Sequence, residues 1–167
     1  MKHRIDIENE QEEVRLFRGY KTFLREVITR TLEAECFPYK AEVSVTLVTG
    51  DRIRELNAAY RKKDRETDVL SFPMLESFEE IAGQDLDEDA VVLGDVVVCP
   101  KVILSQSADF GTGFAGELAL MVVHSVLHLL GYDHIHRDEK KEMFARQEII
   151  FSALSDLLGA DDKKEEK

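Results

Sequence analysis

Residues 114–130, FAGELALMVVHSVLHLL, carry apolar side chains on nearly every side of a helical projection. A helix without a polar face cannot lie on a surface, so the rest of the chain has to enclose it. That demands layers of secondary structure packed around it. At 167 residues and 44% apolar composition, the chain is large enough to supply them as one domain. The stretch is not a bilayer span, because residues 118–130 are too few and His124, Ser125 and His128 interrupt them. Gly131 marks its end.

The elements that could surround this helix are legible from periodicity. Residues 3–8 alternate, with Ile5 and Ile7 on one side, as in a short edge strand. Residues 11–35 place Val14, Phe17, Phe23, Leu24, Val27, Ile28 and Leu32 at near-helical spacing, which predicts one amphipathic helix with Arg15, Arg18, Lys21 and Arg25 on its solvated face. Val43, Val45 and Leu47 form a strand closed by Thr49-Gly50, and Asp51 is the expected N-cap of a short helix with Ile53, Leu56 and Tyr60 inward. A polar loop then leads to the β-rich run VLSF, stopped by Pro73. Residues 76–90 lack apolar periodicity and are expected to be a mobile excursion. VVLGDVVVC reads as another strand, and Pro100 suits the first turn of the helix after it.

A last helix over about 138–158 is expected to turn Met143, Phe144, Ile149, Ile150, Leu154, Leu157 and Leu158 to the core and to end at Gly159. The order β-α-β-α-β-β-α-α-α points to an α/β or α+β design. It is a single domain over 1–159 with a mixed sheet of about four strands, packed helices and a central buried helix carrying the histidines. Residues 160–167 are expected to form a disordered tail.

Charge and cysteine content narrow the function classes. The net charge of −12 argues against a broadly basic nucleic-acid surface. Seven carboxylates, however, fall within 76–90 without a Lys or Arg, so the acidity is local. Cys36 and Cys99 are too few for a disulfide framework and read as small buried or half-buried thiols. The first residues lack the apolar core of a secretory signal, which predicts a cytoplasmic protein with no membrane partner.

The chemistry lies in the central helix. His124 and His128 are four residues apart, so their rings leave one face about a turn apart, close enough to share an ion. The turn after Gly131 can swing His134 back toward them. Three imidazoles with one position left for water form the ligand set of a catalytic metal site. One helical histidine alone is more simply a packed core residue, but several in so apolar a helix would leave nitrogens without partners unless something binds them. His136 is expected to be a solvated loop side chain, and nothing supports a role for His3. The spacing also occurs in the metzincin pattern HExxHxxGxxH, which keeps a peptidase open. That pattern needs a Glu as general base where this chain has Ser125.

The run HSVLHLLGYDH at 124–134 resembles the signature of the YbeY endoribonucleases, bacterial factors of ribosomal RNA maturation. LNAAYRKKDRETDVLSFP at 56–73 resembles the family's second block and LGDVVVCP at 93–100 its third, with Glu117 and Met143 at matching positions. The resemblance implies a single-domain α/β fold with one zinc ion on His124, His128 and His134, although three histidines equally suit another first-row divalent ion. It also implies single-strand-specific endoribonuclease activity in 16S ribosomal RNA 3′-end maturation and ribosome quality control. The implied partners are single-stranded ribosomal RNA, the small ribosomal subunit and assembly factors such as the Era GTPase. Ser125 departs from the glycine expected there.

Arg61 matches the family's functional arginine, and Arg61 and His124 are the candidate catalytic residues. Around Arg61 the run RKKDR carries a net +3, suited to phosphates, with a solvated loop as the plain alternative. Thr67, Asp68 and Ser71 are expected to fix that loop by local hydrogen bonds. Asp133 reads either as a partner that orients a histidine or as a turn residue. A non-catalytic ribosome-assembly factor with a structural metal is the remaining alternative.

Overall fold

The computed structural model describes residues 2–75, 90–110, 113–132 and 136–159. Its elements run β1 (Arg4–Asn9), α1 (Tyr20–Ala34), β2 (Ala41–Leu47), α2 (Gly50–Arg61), β3 (Val69–Pro73), β4 (Val91–Val98), α3 (Pro100–Phe110), α4 (Phe114–Leu129) and α5 (Arg137–Ser152). The sheet has four strands in the order β1-β2-β4-β3. β1, β2 and β4 run parallel, and β3 is antiparallel on β4, which makes the mixed sheet that the sequence predicts. β2 alternates strictly, with Ala41, Val43, Val45 and Leu47 buried. At the end of β4 the consecutive residues Val96, Val97 and Val98 are all buried, so that part of the strand is covered on both faces, as its central place requires.

α4 lies at the centre. Leu118, Val122, Val123, Val126 and Leu127 are fully buried in one cluster with Ile28 and Leu32 of α1, Val43 and Val45 of β2 and Met143 and Ile150 of α5. Each such side chain contributes about 1.5–3 kcal/mol relative to exposure, so enclosing α4 supplies much of the stability of the fold. A smaller cluster of Val48, Ile53, Leu70, Val97 and Cys99 gathers α2 against β3 and β4. Burial pushes the Cys99 thiol up, consistent with an inert packing residue.

Several expectations are corrected. The first helix begins at Tyr20 rather than near residue 11. The Gln11 amide accepts from the Val14 backbone N–H at 2.8 Å and donates to the Val14 carbonyl at 3.0 Å, which replaces helical bonding there, and Gly19 precedes the helix with φ 84°. The N-cap of α2 is Thr49, whose hydroxyl accepts from the Arg52 N–H at 3.2 Å, while Asp51 sits in the first turn. Cys36 is exposed, with φ 54°. α5 ends at Ser152, ahead of the expected 158. Tyr60, Phe144 and Ile149, all expected inward, are exposed. His3 has a role after all: its Nδ1 accepts from the Ala41 N–H at 2.9 Å beside the β1–β2 pair. Residues 76–89 of the acidic excursion expected over 76–90, and the tail at 160–167, lie outside the described residues.

Candidate functional site

Most of α4 is buried, but Met121, His124 and His128 form a stripe that stays half-exposed. Their spacing of three and four puts them on one face. That stripe lines a cavity of about 750 Å³, together with Thr67 through Pro73, Tyr60 and Arg61 at the end of α2, and Phe144 and Gln147 of α5. A volume of this size is typical of ligand-binding clefts.

The two histidines are held by opposite ends of their surroundings. His124 Nδ1 lies 2.7 Å from Gln147 Oε1, and His128 Nδ1 lies 2.9 Å from the Tyr132 carbonyl oxygen. Both partners are oxygens that only accept, with the Gln147 amide placed as it is here, which favours the tautomer with the ring proton on Nδ1. Where both imidazoles are neutral, the two Nε2 lone pairs then face each other across 3.1 Å. Two lone pairs brought this close are favourable only with a proton or a metal ion between them. The donor set therefore fits a shared metal ion, with the partners at Nδ1 orienting the rings.

The end of α4 supplies the Tyr132 carbonyl. The Gly131 N–H donates to the His128 carbonyl at 3.0 Å and the Tyr132 N–H to the Leu127 carbonyl at 3.1 Å, a Schellman turn that Gly131 permits with φ 101°. The Tyr132 hydroxyl donates to Glu35 Oε2 at 2.7 Å, and Arg146 Nε donates to Glu35 Oε1 at 2.7 Å. Burial, then the bond to Glu35, pushes the Tyr132 phenol up to about 12. It remains a donor at neutral pH. This bridge ties the last residues of α1, the turn after α4 and the middle of α5 together behind the histidines.

His134, the third predicted ligand, lies with Asp133 outside the described residues. Among the described residues no group of three or more His, Cys, Asp and Glu converges on one point. His136 is exposed at the start of α5, its Nδ1 3.4 Å from Glu139.

Arg61 is exposed on the rim of the cleft. Lys62 takes the left-handed conformation, φ 58°, and the chain reverses toward β3. Asn57 pins this loop, its amide donating to the Arg65 carbonyl at 3.0 Å. Asp64 faces Arg54 at 2.8 Å, an exposed pair of small energetic weight. Asp68 Oδ1 accepts from the Val69 N–H at 2.8 Å and from the Thr67 hydroxyl at 3.3 Å, the local bonding expected of it, yet Thr67, Asp68 and Ser71 also line the cleft. Ser125, next to His124, is fully buried and out of reach of a substrate.

Sequence reasoning missed Gln147 and Asn57. Each is a polar residue on an inward stripe, Met143-Gln147-Ile150 for α5 and Gly50-Ile53-Asn57 for α2. A buried amide at helical spacing among core residues is the signal that would have found them.

The fold and cleft define an α/β domain whose paired histidines face an open groove edged by a cationic loop, a hydrolase arrangement. The model of the family described as Endoribonuclease YbeY matches residues 6–155. The chain is 42% identical over 152 residues to the Endoribonuclease YbeY of Bacillus cereus (strain G9842), covering 89% of this chain and 94% of that one. It is 36% identical over 156 residues to that of Acetivibrio thermocellus, covering 90% and 96%. The solution structure of TM1509 from Thermotoga maritima superposes with a TM-score of 0.62 at 30% identity over 95% of both chains. The chain belongs to the YbeY endoribonuclease family.

Proposed function

We propose that this protein is an endoribonuclease that hydrolyses phosphodiester bonds of single-stranded RNA, acting in 16S ribosomal RNA 3′-end maturation and ribosome quality control. Membership of the family supports the reaction class. The observation that carries the site is the approach of His124 Nε2 and His128 Nε2 to 3.1 Å in the cleft that Arg61 borders. His124, His128 and His134 would hold one divalent ion, zinc first, which when bound supplies Lewis-acid activation at neutral pH.

The chain's own residues do the rest. Gln147 and the Tyr132 carbonyl keep both Nδ1 protons in place, so the Nε2 lone pairs stay directed into the cleft. Arg61 offers a fixed positive charge and a planar fork of donors to a phosphate, and stabilises the negative charge that grows on its oxygens in the transition state. Lys62, Lys63 and Arg65 add sequence-independent attraction for the backbone.

The expected setting is the cytoplasm, with the small ribosomal subunit and assembly factors such as the Era GTPase as partners. No single helix among the described residues is long and apolar enough to cross a membrane.

Two substitutions test the reading. His128→Ala is expected to abolish both metal retention, read by elemental analysis, and cleavage of a single-stranded ribosomal RNA fragment. Retained metal with undiminished cleavage would overturn it. Arg61→Ala is expected to lower cleavage at least about a hundredfold, the size of losing one oxyanion donor, with metal content and melting temperature unchanged. A ribosome-assembly role with a structural metal predicts instead no cleavage by the parent protein.

A further inference from the structure

Two aromatic residues that helical spacing assigns to the core stand in the open at the cleft. Tyr60 extends the stripe of Ile53 and Leu56 yet is 68% exposed, and Phe144 follows the fully buried Met143 yet is 45% exposed. A single exposed apolar side chain is ordinary. Two rings lining the same cavity as His124, His128 and Arg61 are not explained by packing.

α4 packs against β3 on one side and α5 on another, so the rings come from different walls of the cleft. Tyr60 rests on Phe72 of β3 with centroids 5.1 Å apart at 69°, a contact that holds the ring while most of the residue stays open. Phe144 projects from α5 with Lys140 Nζ 5.9 Å from its centroid. That cation–π contact, at an exposed site, is weaker than a base on an aromatic ring and yields to it, leaving the ammonium near the attached phosphate. Arg61, Lys62 and Lys63 are exposed beside Tyr60. Flat apolar faces alternating with cations are the combination that holds a single strand of nucleic acid.

We propose that Tyr60 and Phe144 are stacking platforms for nucleobases on either side of the scissile phosphodiester, and that they select single-stranded over duplex RNA. In a duplex each base already stacks on its neighbours, and neither ring finds a free face. The proposal rests on the endoribonuclease reading and adds to it the residues that choose the strand state.

The test is steady-state cleavage of a fluorescein-labelled single-stranded RNA by the full chain. Tyr60→Leu and Phe144→Leu keep an apolar side chain but lose the flat face, and each is expected to raise KM about fivefold or more with kcat within about twofold of the parent. Tyr60→Phe is expected to restore the parental KM. Both side chains are largely exposed, so melting temperatures should fall by no more than about 2–4 °C, the loss of one ring contact such as Tyr60–Phe72. A scan of the same RNA with one abasic nucleotide at each position is expected to weaken binding to the parent at two positions and to Phe144→Leu at one. Unchanged KM in both Leu variants, a loss confined to kcat, or a flat abasic scan would overturn the proposal. A parent that cleaves while its Leu variants behave identically ends the stacking assignment alone. A parent that neither cleaves nor binds the RNA ends the endoribonuclease reading with it.

Discussion

Gln147 is 7% exposed in the inward stripe of α5, where Leu would pack as well and cost less to bury. Its amide is kept there for the 2.7 Å bond to His124 Nδ1. Gln147→Leu should release that ring to the tautomer with the proton on Nε2 and weaken metal affinity about 10–100-fold, whereas Gln147→Glu keeps an acceptor and should bind near the parental level. Imidazole ¹⁵N shifts of the metal-free protein and competition with a chelator read the two effects. Equal affinity in all three proteins would deny Gln147 any orienting part.

Ser125 illustrates the opposite case. Its hydroxyl is buried without a hydrogen-bond partner among the described residues, so Ser125→Ala should stabilise the protein by about 1 kcal/mol and raise the melting temperature by about 2–4 °C. The paired histidines were legible because histidine is conspicuous in an apolar helix. The residues that orient them were not, because an amide four residues from Met143 differs little in a linear pattern from the polar residues around it.

At the scale of elements, the cleft wall depends on a bulge that alternation does not reveal. β2 pairs Glu42 with Val92 but Val43 with Gly94, so β4 carries one extra residue at Leu93. Gly94 has φ 142°, and a Cβ there would run into the Phe72 carbonyl oxygen of β3 and sit 3.0 Å from Leu129 Cδ2 of α4. The backbone oxygen cannot rotate away as a side chain would. Gly94→Ala should therefore cost about 2 kcal/mol or more in urea unfolding and displace β3, lowering RNA cleavage as well. A variant as stable and as active as the parent would show that β3 does not need this approach.

Strand identities and the burial of α4 followed from the sequence because they rest on apolar period alone. The start of α1 did not, since Val14 and Phe17 keep helical spacing while the Gln11 side chain takes up the backbone bonds. Tyr60 and Phe144 were misplaced for a related reason: period marks an apolar side chain but not whether a cleft opens beneath it.

For the molecule as a whole, the question is whether a metal in the cleft would be part of the fold or a guest of it. Leu24, Ile28, Leu47, Leu93, Leu118, Leu127 and Met143 are all essentially inaccessible, and they join sheet and helices without using the histidines. The Tyr132–Glu35–Arg146 bridge likewise holds the turn after α4 with protein groups alone. A chain of 167 residues with such a core is not in the class of small domains that fold only around zinc. Binding to the native state alone should still add about 2.7 kcal/mol when the free ion is at a hundred times its Kd. Exhaustive chelation should accordingly leave the far-ultraviolet dichroism and a single cooperative transition in place, lower the melting temperature by about 5–10 °C, and abolish cleavage of RNA until metal is restored. Loss of cooperative unfolding on chelation would mean that the ion braces the fold, which is what a structural site predicts and an open catalytic one does not.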